Sequence, residues 1–266
     1  MSYKDVLIGH IRYNEEYSGT DWTQKIGDFK AMYRDRGLFM TERQIINSPQ
    51  PDTNLIKIPG SSNIIDLSEA LTGFPTYGTR LIKMVFAVSD LPYRFPLRYD
   101  EAVNDFHGRR FDIIFEDDPG YFYSGRVTIN ALESDKNAGK ITFEAECEPY
   151  KKEITQTDEP WLWDPFDFVN GVIREYGNLE IAEQTSVTVI AAKMPVRPIV
   201  KTNAAAQLTI RKGGEELLTT FLTAGENYFP GLVLTAEDTG VNDKYDFVFS
   251  PETNAVISIV FRGGRL

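Results

Sequence analysis

Alternation with a period of two is the strongest signal in the chain, and it is cleanest from Lys140 to Glu148. Ile141, Phe143, Ala145 and Cys147 fall on one side; Thr142, Glu144, Glu146 and Glu148 fall on the other. That pattern predicts an antiparallel strand with one wet face. Two earlier runs repeat it. Arg110–Glu116 aligns Phe111, Ile113 and Phe115, and Tyr121–Leu132 aligns Tyr123, Val127, Ile129 and Ala131. Between them, Asp117-Asp118-Pro119-Gly120 is turn chemistry: Pro fixes one φ, Gly frees the next, and Asp bonds back to the backbone. Ser134–Gly139 is a second polar turn, so residues 108–150 read as a three-stranded meander.

Upstream, Lys4–Gly9 is a short strand, and Tyr13–Asp28 is polar and irregular around Trp22. Lys30–Met40 carries a strand broken at Arg36-Gly37. Asn47–Asp52 is a loop whose prolines, Pro49 and Pro51, cannot donate to a sheet ladder. Leu55–Ile58 is a strand ended by Pro59-Gly60. Arg80–Val88 is apolar on both faces apart from Lys83, which predicts a central strand. The helical signal is Leu97–His107: Tyr99, Val103 and Phe106 share one stripe, Pro96 suits the start and Gly108 the stop.

Lys151–Pro160 has the composition of a linker, which predicts two domains, 1–155 and 156–266. The aromatic run Trp161–Phe168 either opens the second domain or seals the junction; helix and strand both remain open there. From Asn178 onward, short strands are predicted at Ser186–Ala191, Ile199–Thr202, Gln207–Arg211, Leu217–Leu222, Leu232–Thr235, Asp246–Phe249 and Ala255–Phe261. Turn residues punctuate them at Lys212-Gly213-Gly214, Ala224–Asn227, Pro230-Gly231 and Thr239-Gly240. Ala255–Phe261, apolar on both faces except at Ser258, is expected to be central. The expected fold is mainly β: an N-terminal β-sandwich or split-barrel-like domain with one packed helix, then a C-terminal β-sandwich.

The 266 residues suit one or two domains. Lys and Arg number 28 against 39 Asp and Glu, a net charge of −11. That disfavours nonspecific nucleic-acid binding and attachment to an anionic membrane. Met1–His10 has no apolar leader core, and no run approaches the roughly 18 apolar residues of a membrane span; the expectation is folding in the cytoplasm. Cys147 is the single cysteine, so no internal disulfide forms. Its place on an apolar strand face predicts a buried, inert thiol.

Candidate chemistry is sparse. Glu116-Asp117-Asp118 could hold a hard cation, but calcium-loop spacing is absent and a solvated turn is the expectation. His10 and His107, the two histidines, lack the further ligands of a metal site and the nucleophile of a triad. The paired glycines at Gly213-Gly214 and Gly263-Gly264 lack phosphate-loop spacing. No cofactor or metal is expected, and no enzyme.

The order of features in GRRFDIIFEDDPGYFYSGRV, closed by FEAECEPYKKE at Phe143–Glu153, resembles the distal tail protein (Dit) family of phages with long flexible tails. Ile58-Pro59-Gly60, the Ile65–Gly73 stretch and the ending Phe261–Leu266 are also similar to that family. The resemblance implies a structural virion protein, from a phage or prophage, that forms a homo-hexameric ring hub at the tail tip or baseplate. It implies a galectin-like second domain, and as partners the tail tube, the tape-measure protein and a tail-associated lysin or receptor-binding fibre. It also implies assembly in the host cytoplasm and a place in the virion tail. Within that reading the two-proline loop flanked by apolar pairs is the expected inter-subunit arm, at Ile45, Pro49, Pro51 and Leu55, because an open strand edge invites pairing. The alternative is a carbohydrate-binding protein whose second domain stacks a cell-surface glycan on Tyr228, Phe229 or Tyr245.

Overall fold

The computed structural model describes residues 5–42, 44–135, 138–168, 171–236 and 244–266. The first half is built on one antiparallel sheet. Its strands are β1 (Val6–Ile11), β2 (Gly27–Ala31), β3 (Leu38–Met40), β4 (Ile45–Ile46), β7 (Arg80–Val88), β8 (Arg110–Phe115), β9 (Tyr121–Ser134) and β10 (Gly139–Cys147). The order across it is β2-β1-β8-β9-β10-β7-β3, with β4 on β7. A small hairpin, β5 (Leu55–Lys57) with β6 (Ile64–Asp66), forms a sheet of its own.

The meander is present as read. Ile141, Phe143, Ala145 and Cys147 are all fully buried, paired on one side with β7 and on the other with β9. One expectation on β9 fails. The register shifts between Ile141 opposite Leu132 and Phe143 opposite Ile129, so a bulge turns Leu132 inward and leaves Ala131 exposed. Strand β7 is central, but only one of its faces is buried: Ile82, Met84 and Phe86 are enclosed, whereas Leu81 is exposed.

The helix α3 (Phe95–Phe106) lies across the buried face. Phe106 meets Phe111 and Phe143 at ring distances of 5.3 and 5.9 Å, and Tyr99 and Val103 pack at the margin. Two short helices, α1 (Trp22–Ile26) and α2 (Met32–Arg36), have no counterpart in the sequence reading. Gly37 ends α2 with φ 64°, which relieves the side-chain clash of the left-handed region. Leu7, Ile26, Ile114, Phe122 and Ile154 form a second, smaller core on the opposite sheet face.

The second half is a sandwich of two four-stranded antiparallel sheets. Its strands are β12 (Leu179–Ile181), β13 (Thr185–Ile190), β14 (Ile199–Thr202), β15 (Ala206–Lys212), β16 (Glu215–Leu222), β17 (Gly225–Tyr228), β18 (Lys244–Pro251) and β19 (Ala255–Val260). The sheets run β12-β19-β14-β17 and β13-β18-β15-β16. Their shared core includes Val200, Ile257 and Ile259 from one sheet and Leu208, Ile210, Phe247 and Phe249 from the other. As expected, β19 is central. Gly213 and Gly214, with φ 60° and 89°, close the β15–β16 hairpin in the way a tight two-residue turn requires.

Three expectations are corrected here. Leu232–Thr235 is not a strand; Leu234 makes one isolated bridge to Val196. Gly225–Tyr228, whose first three residues were expected in a turn, is β17. Lys151–Glu153, expected in a linker, is β11, which pairs with β9 and with the final strand β20 (Gly264–Arg265). The chain's last residues therefore return to the first sheet. Lys151 and Lys152 tolerate that position because Asp118 and Glu148 neutralise them.

Candidate functional site

The β5–β6 hairpin carries a cluster of exposed apolar side chains. Leu55 pairs with Asp66, Ile56 with Ile65 and Lys57 with Ile64. The turn is set by Pro59-Gly60, with the Ser61 amide donating to Ile58 O at 3.1 Å. At the base, the Leu67 amide donates to Asn54 O and the Asn54 amide to Ser68 Oγ, both at 2.9 Å. Leu55, Ile56, Ile58, Ile64, Ile65 and Leu67 are all exposed, and Leu71 is fully so. Alternate side chains of a strand point to opposite faces, so apolar groups project from both. A two-stranded hairpin is marginal in water, and a contiguous apolar surface of this kind marks a contact site.

Its root is firm. Pro51 bridges to Tyr77, with the Asp52 amide donating to Thr76 O and the Gly78 amide to Gln50 O, both at 2.9 Å. Proline needs no partner for a missing N–H, which suits that position. Of the four residues expected in an arm, Leu55 alone lies on the hairpin. Ile45 is paired with Lys83 in β4, Pro49 is buried, and Pro51 belongs to the root.

The three aromatic residues considered for sugar stacking separate. Tyr245 is 2% exposed. Its hydroxyl accepts from the Thr235 amide at 3.2 Å, and the Lys212 ammonium lies 5.3 Å from its ring centre; a ring this buried offers no face for a sugar to stack on. Phe229 packs against the sandwich core. Tyr228 is exposed. It borders a groove of about 760 Å³ that also receives Phe74, Leu217, Phe229 and Lys212. Among the described residues the lining contains no carboxylate or amide side chain, the groups that grip sugar hydroxyls.

In the acidic turn Asp117 is exposed, while Glu116 and Asp118 are half-buried and tied into the fold. The Asp5 amide donates to the Glu116 carboxylate at 2.9 Å. Asp118 binds Lys151 and lies 3.8 Å from Arg265, whose guanidinium sits 4.3 Å from the Tyr121 ring centre. The turn thus fastens the C-terminal strand. Behind it, Arg174 bonds Glu153 at 2.5 Å, and Arg262 donates to Glu153 O and Ile154 O at 2.7 and 2.5 Å. Trp161, Trp163, Phe166 and Phe168 form one aromatic cluster beside this junction, without helix or strand.

No catalytic constellation assembles among the described residues, and no group of three or more His, Cys, Asp or Glu there could hold a metal. His10 stacks on Phe111 at 5.0 Å. His107 follows α3 rather than ending it, and its Nδ1 accepts from the Ile129 amide at 3.0 Å. Cys147 is buried, and burial pushes its thiol up to about 12.

No protein-family model matches the chain, and no curated protein sequence matches it. Among solved structures, the Dit protein of phage SPP1, described as a paradigm of the hub adsorption apparatus in phages infecting Gram-positive bacteria, is similar over 89% of this chain and 96% of its own, with a TM-score of 0.52 and 11% identity. The fold is Dit-like. The Bacillus thuringiensis insecticidal delta-endotoxin Cry8Ea1 also aligns, over all of this chain and 53% of its own, but at a TM-score of 0.27 and 9% identity it carries no argument. The described residues hold no helix long and apolar enough to cross a membrane.

Proposed function

We propose that this chain is a structural component of a phage or prophage tail, a distal tail protein that forms a ring hub at the tail tip or baseplate. The observation that carries this reading is the end-to-end likeness to SPP1 Dit, 89% of one chain against 96% of the other. In this reading domain 1–155 builds the ring, by analogy from six copies, and the β5–β6 hairpin is the arm that one copy lays on the next. Domain 156–266 is a galectin-like sandwich that faces the adsorption apparatus. The partners are further copies of the chain, the tail tube, the tape-measure protein and a tail-associated lysin or fibre; the location is the virion tail. The role is structural and needs no cofactor.

Negative-stain microscopy tests it on the full-length protein, alone at high concentration and co-expressed with the products of the adjoining reading frames. Closed rings are expected in at least one preparation. Isolated particles in both would sink the hub reading.

A further inference from the structure

The hairpin needs a surface to cover it, and the same chain carries one of matching charge. A groove of about 450 Å³ opens where β1, β2, α2, the end of α3 and β8 meet. Its floor is aromatic: His10 stacks on Phe111, which meets Phe106 edge-on. Its rim holds Lys30, Arg36, Arg109 and Arg110 against Asp28 and Asp105. Arg36 lies 2.7 Å from Asp105, and Arg110 binds Glu148 outside the groove. The groove lining is therefore net positive in a chain whose net charge is −11. Residues 50–73, which carry the hairpin, hold Asp52, Asp66 and Glu69 against Lys57 and are net negative. None of the hairpin's own residues lines the groove.

We propose that this groove, between His10, Lys30, Arg109 and Phe111, seats the β5–β6 hairpin of a second copy of the chain. The proposal rests on the reading of the hairpin as an arm and names the surface the arm meets. Leucine and isoleucine side chains of the arm cover the aromatic floor, and Asp66 and Glu69 meet the basic rim. The two surfaces differ, so the contact is heterologous and can repeat around a closed ring. Complementary charge sets the register and steers encounter, so the contact weakens as salt screens it.

Cross-linking of the full chain tests this. Cys147 is buried and its thiol is pushed up to about 12, so at pH 7 it stays silent beside an introduced cysteine. Ile56→Cys is mixed at high concentration with His10→Cys, or with Lys30→Cys should the first perturb the fold, and treated with a short bismaleimide. Thr219→Cys, exposed on the sandwich, is the control. The His10 or Lys30 partner is expected to cross-link at least about fivefold more than the control, and Arg109→Glu in the groove lowers that yield about fivefold. Asp66→Lys with Glu69→Lys in the arm restores it. A yield that ignores charge reversal, or equals that of Thr219→Cys, overturns the groove while leaving the arm. Failure of Ile56→Cys to cross-link to any copy overturns both.

Discussion

The Arg174 guanidinium lies 2.5 Å from the Glu153 carboxylate, and the two side chains are only 8% and 19% exposed. Arg174 also donates to Ile190 O and Ala191 O, at 2.9 and 3.0 Å. One side chain thus ties β11 to the end of β13. Burial pushes the Glu153 carboxyl above the usual glutamate value of 4.5, and the nearby Arg174 and Arg262 guanidinium groups oppose that rise. Replacing Arg174 by Met leaves the carboxylate buried without its closest cation. The expected loss is about 2–4 kcal/mol in urea unfolding at pH 7. A carboxyl whose folded value is raised favours the folded state when protonated. Its contribution is full below the unfolded value and lost as pH rises through the folded one. The deficit of Arg174→Met should therefore shrink from pH 7 to pH 4. A deficit that stays constant over that range speaks against burial of the charge as its cause.

Cys147 gives a second dependence on pH, at the alkaline end. Its thiol is raised from 9.0 to about 12, chiefly by burial. The folded state holds the proton more tightly than the unfolded state, so the stabilisation is complete below pH 9 and declines from pH 9 towards 12. The slope due to this one group is at most about 1.4 kcal/mol per pH unit. Comparing the protein with Cys147→Ala isolates it from tyrosine and lysine titration. The variant starts less stable by a cavity term, and the gap should narrow between pH 9 and 11. A thiol reagent should label Cys147 at pH 7 only after denaturant is added.

Tyr228 and Tyr245 carry the same chemistry in opposite settings. The Tyr245 hydroxyl accepts the Thr235 amide at 3.2 Å beneath the sandwich surface, whereas Tyr228 is exposed and bonds Glu226. Tyr245→Phe leaves a half-buried amide without that acceptor and should cost about 1–2 kcal/mol. Tyr228→Phe should stay within about 0.5 kcal/mol. Equal effects in thermal or urea unfolding would contradict this division.

Much of the fold is legible because burial and alternation coincide. Ile141, Phe143, Ala145 and Cys147 announce a strand with one dry face, and the enclosed core is what that pattern demands. The bulge that exchanges Ala131 for Leu132 leaves no local mark, since either residue fits an inward position. Strand β17 was hidden because Gly225, Glu226 and Asn227 are turn-forming residues. Its pairing with β14 is reinforced by the Asn227 side chain, which donates to Val200 O at 3.2 Å. Strand β11 was hidden for an electrostatic reason: Lys151-Lys152-Glu153 has linker composition until Asp118, Glu148 and Arg174 arrive from elsewhere. The hairpin was legible as strand, turn and strand, but not as a projection. Apolar residues on both faces usually mean a central strand, and sequence does not distinguish a core from a partner as the thing that covers them.

That ambiguity is what deletion of the hairpin resolves. Replacing residues 55–67 by two glycines removes every side chain of β5 and β6 while keeping Asn54 and Ser68, which close the hairpin's base. None of the removed residues belongs to the hydrophobic clusters. An ordinary core strand of this apolar content would cost several kcal/mol to remove, since burying one Leu or Ile side chain is worth about 1.5–3 kcal/mol. Here the urea midpoint should move by less than about 1 kcal/mol equivalent, because those apolar side chains stay largely exposed and none enters a core cluster. Self-association, followed by sedimentation velocity at rising concentration, should disappear in the same variant. A large loss of stability would mean that the hairpin supports its own subunit. Unchanged stability with unchanged self-association would mean that copies of the chain meet through another surface.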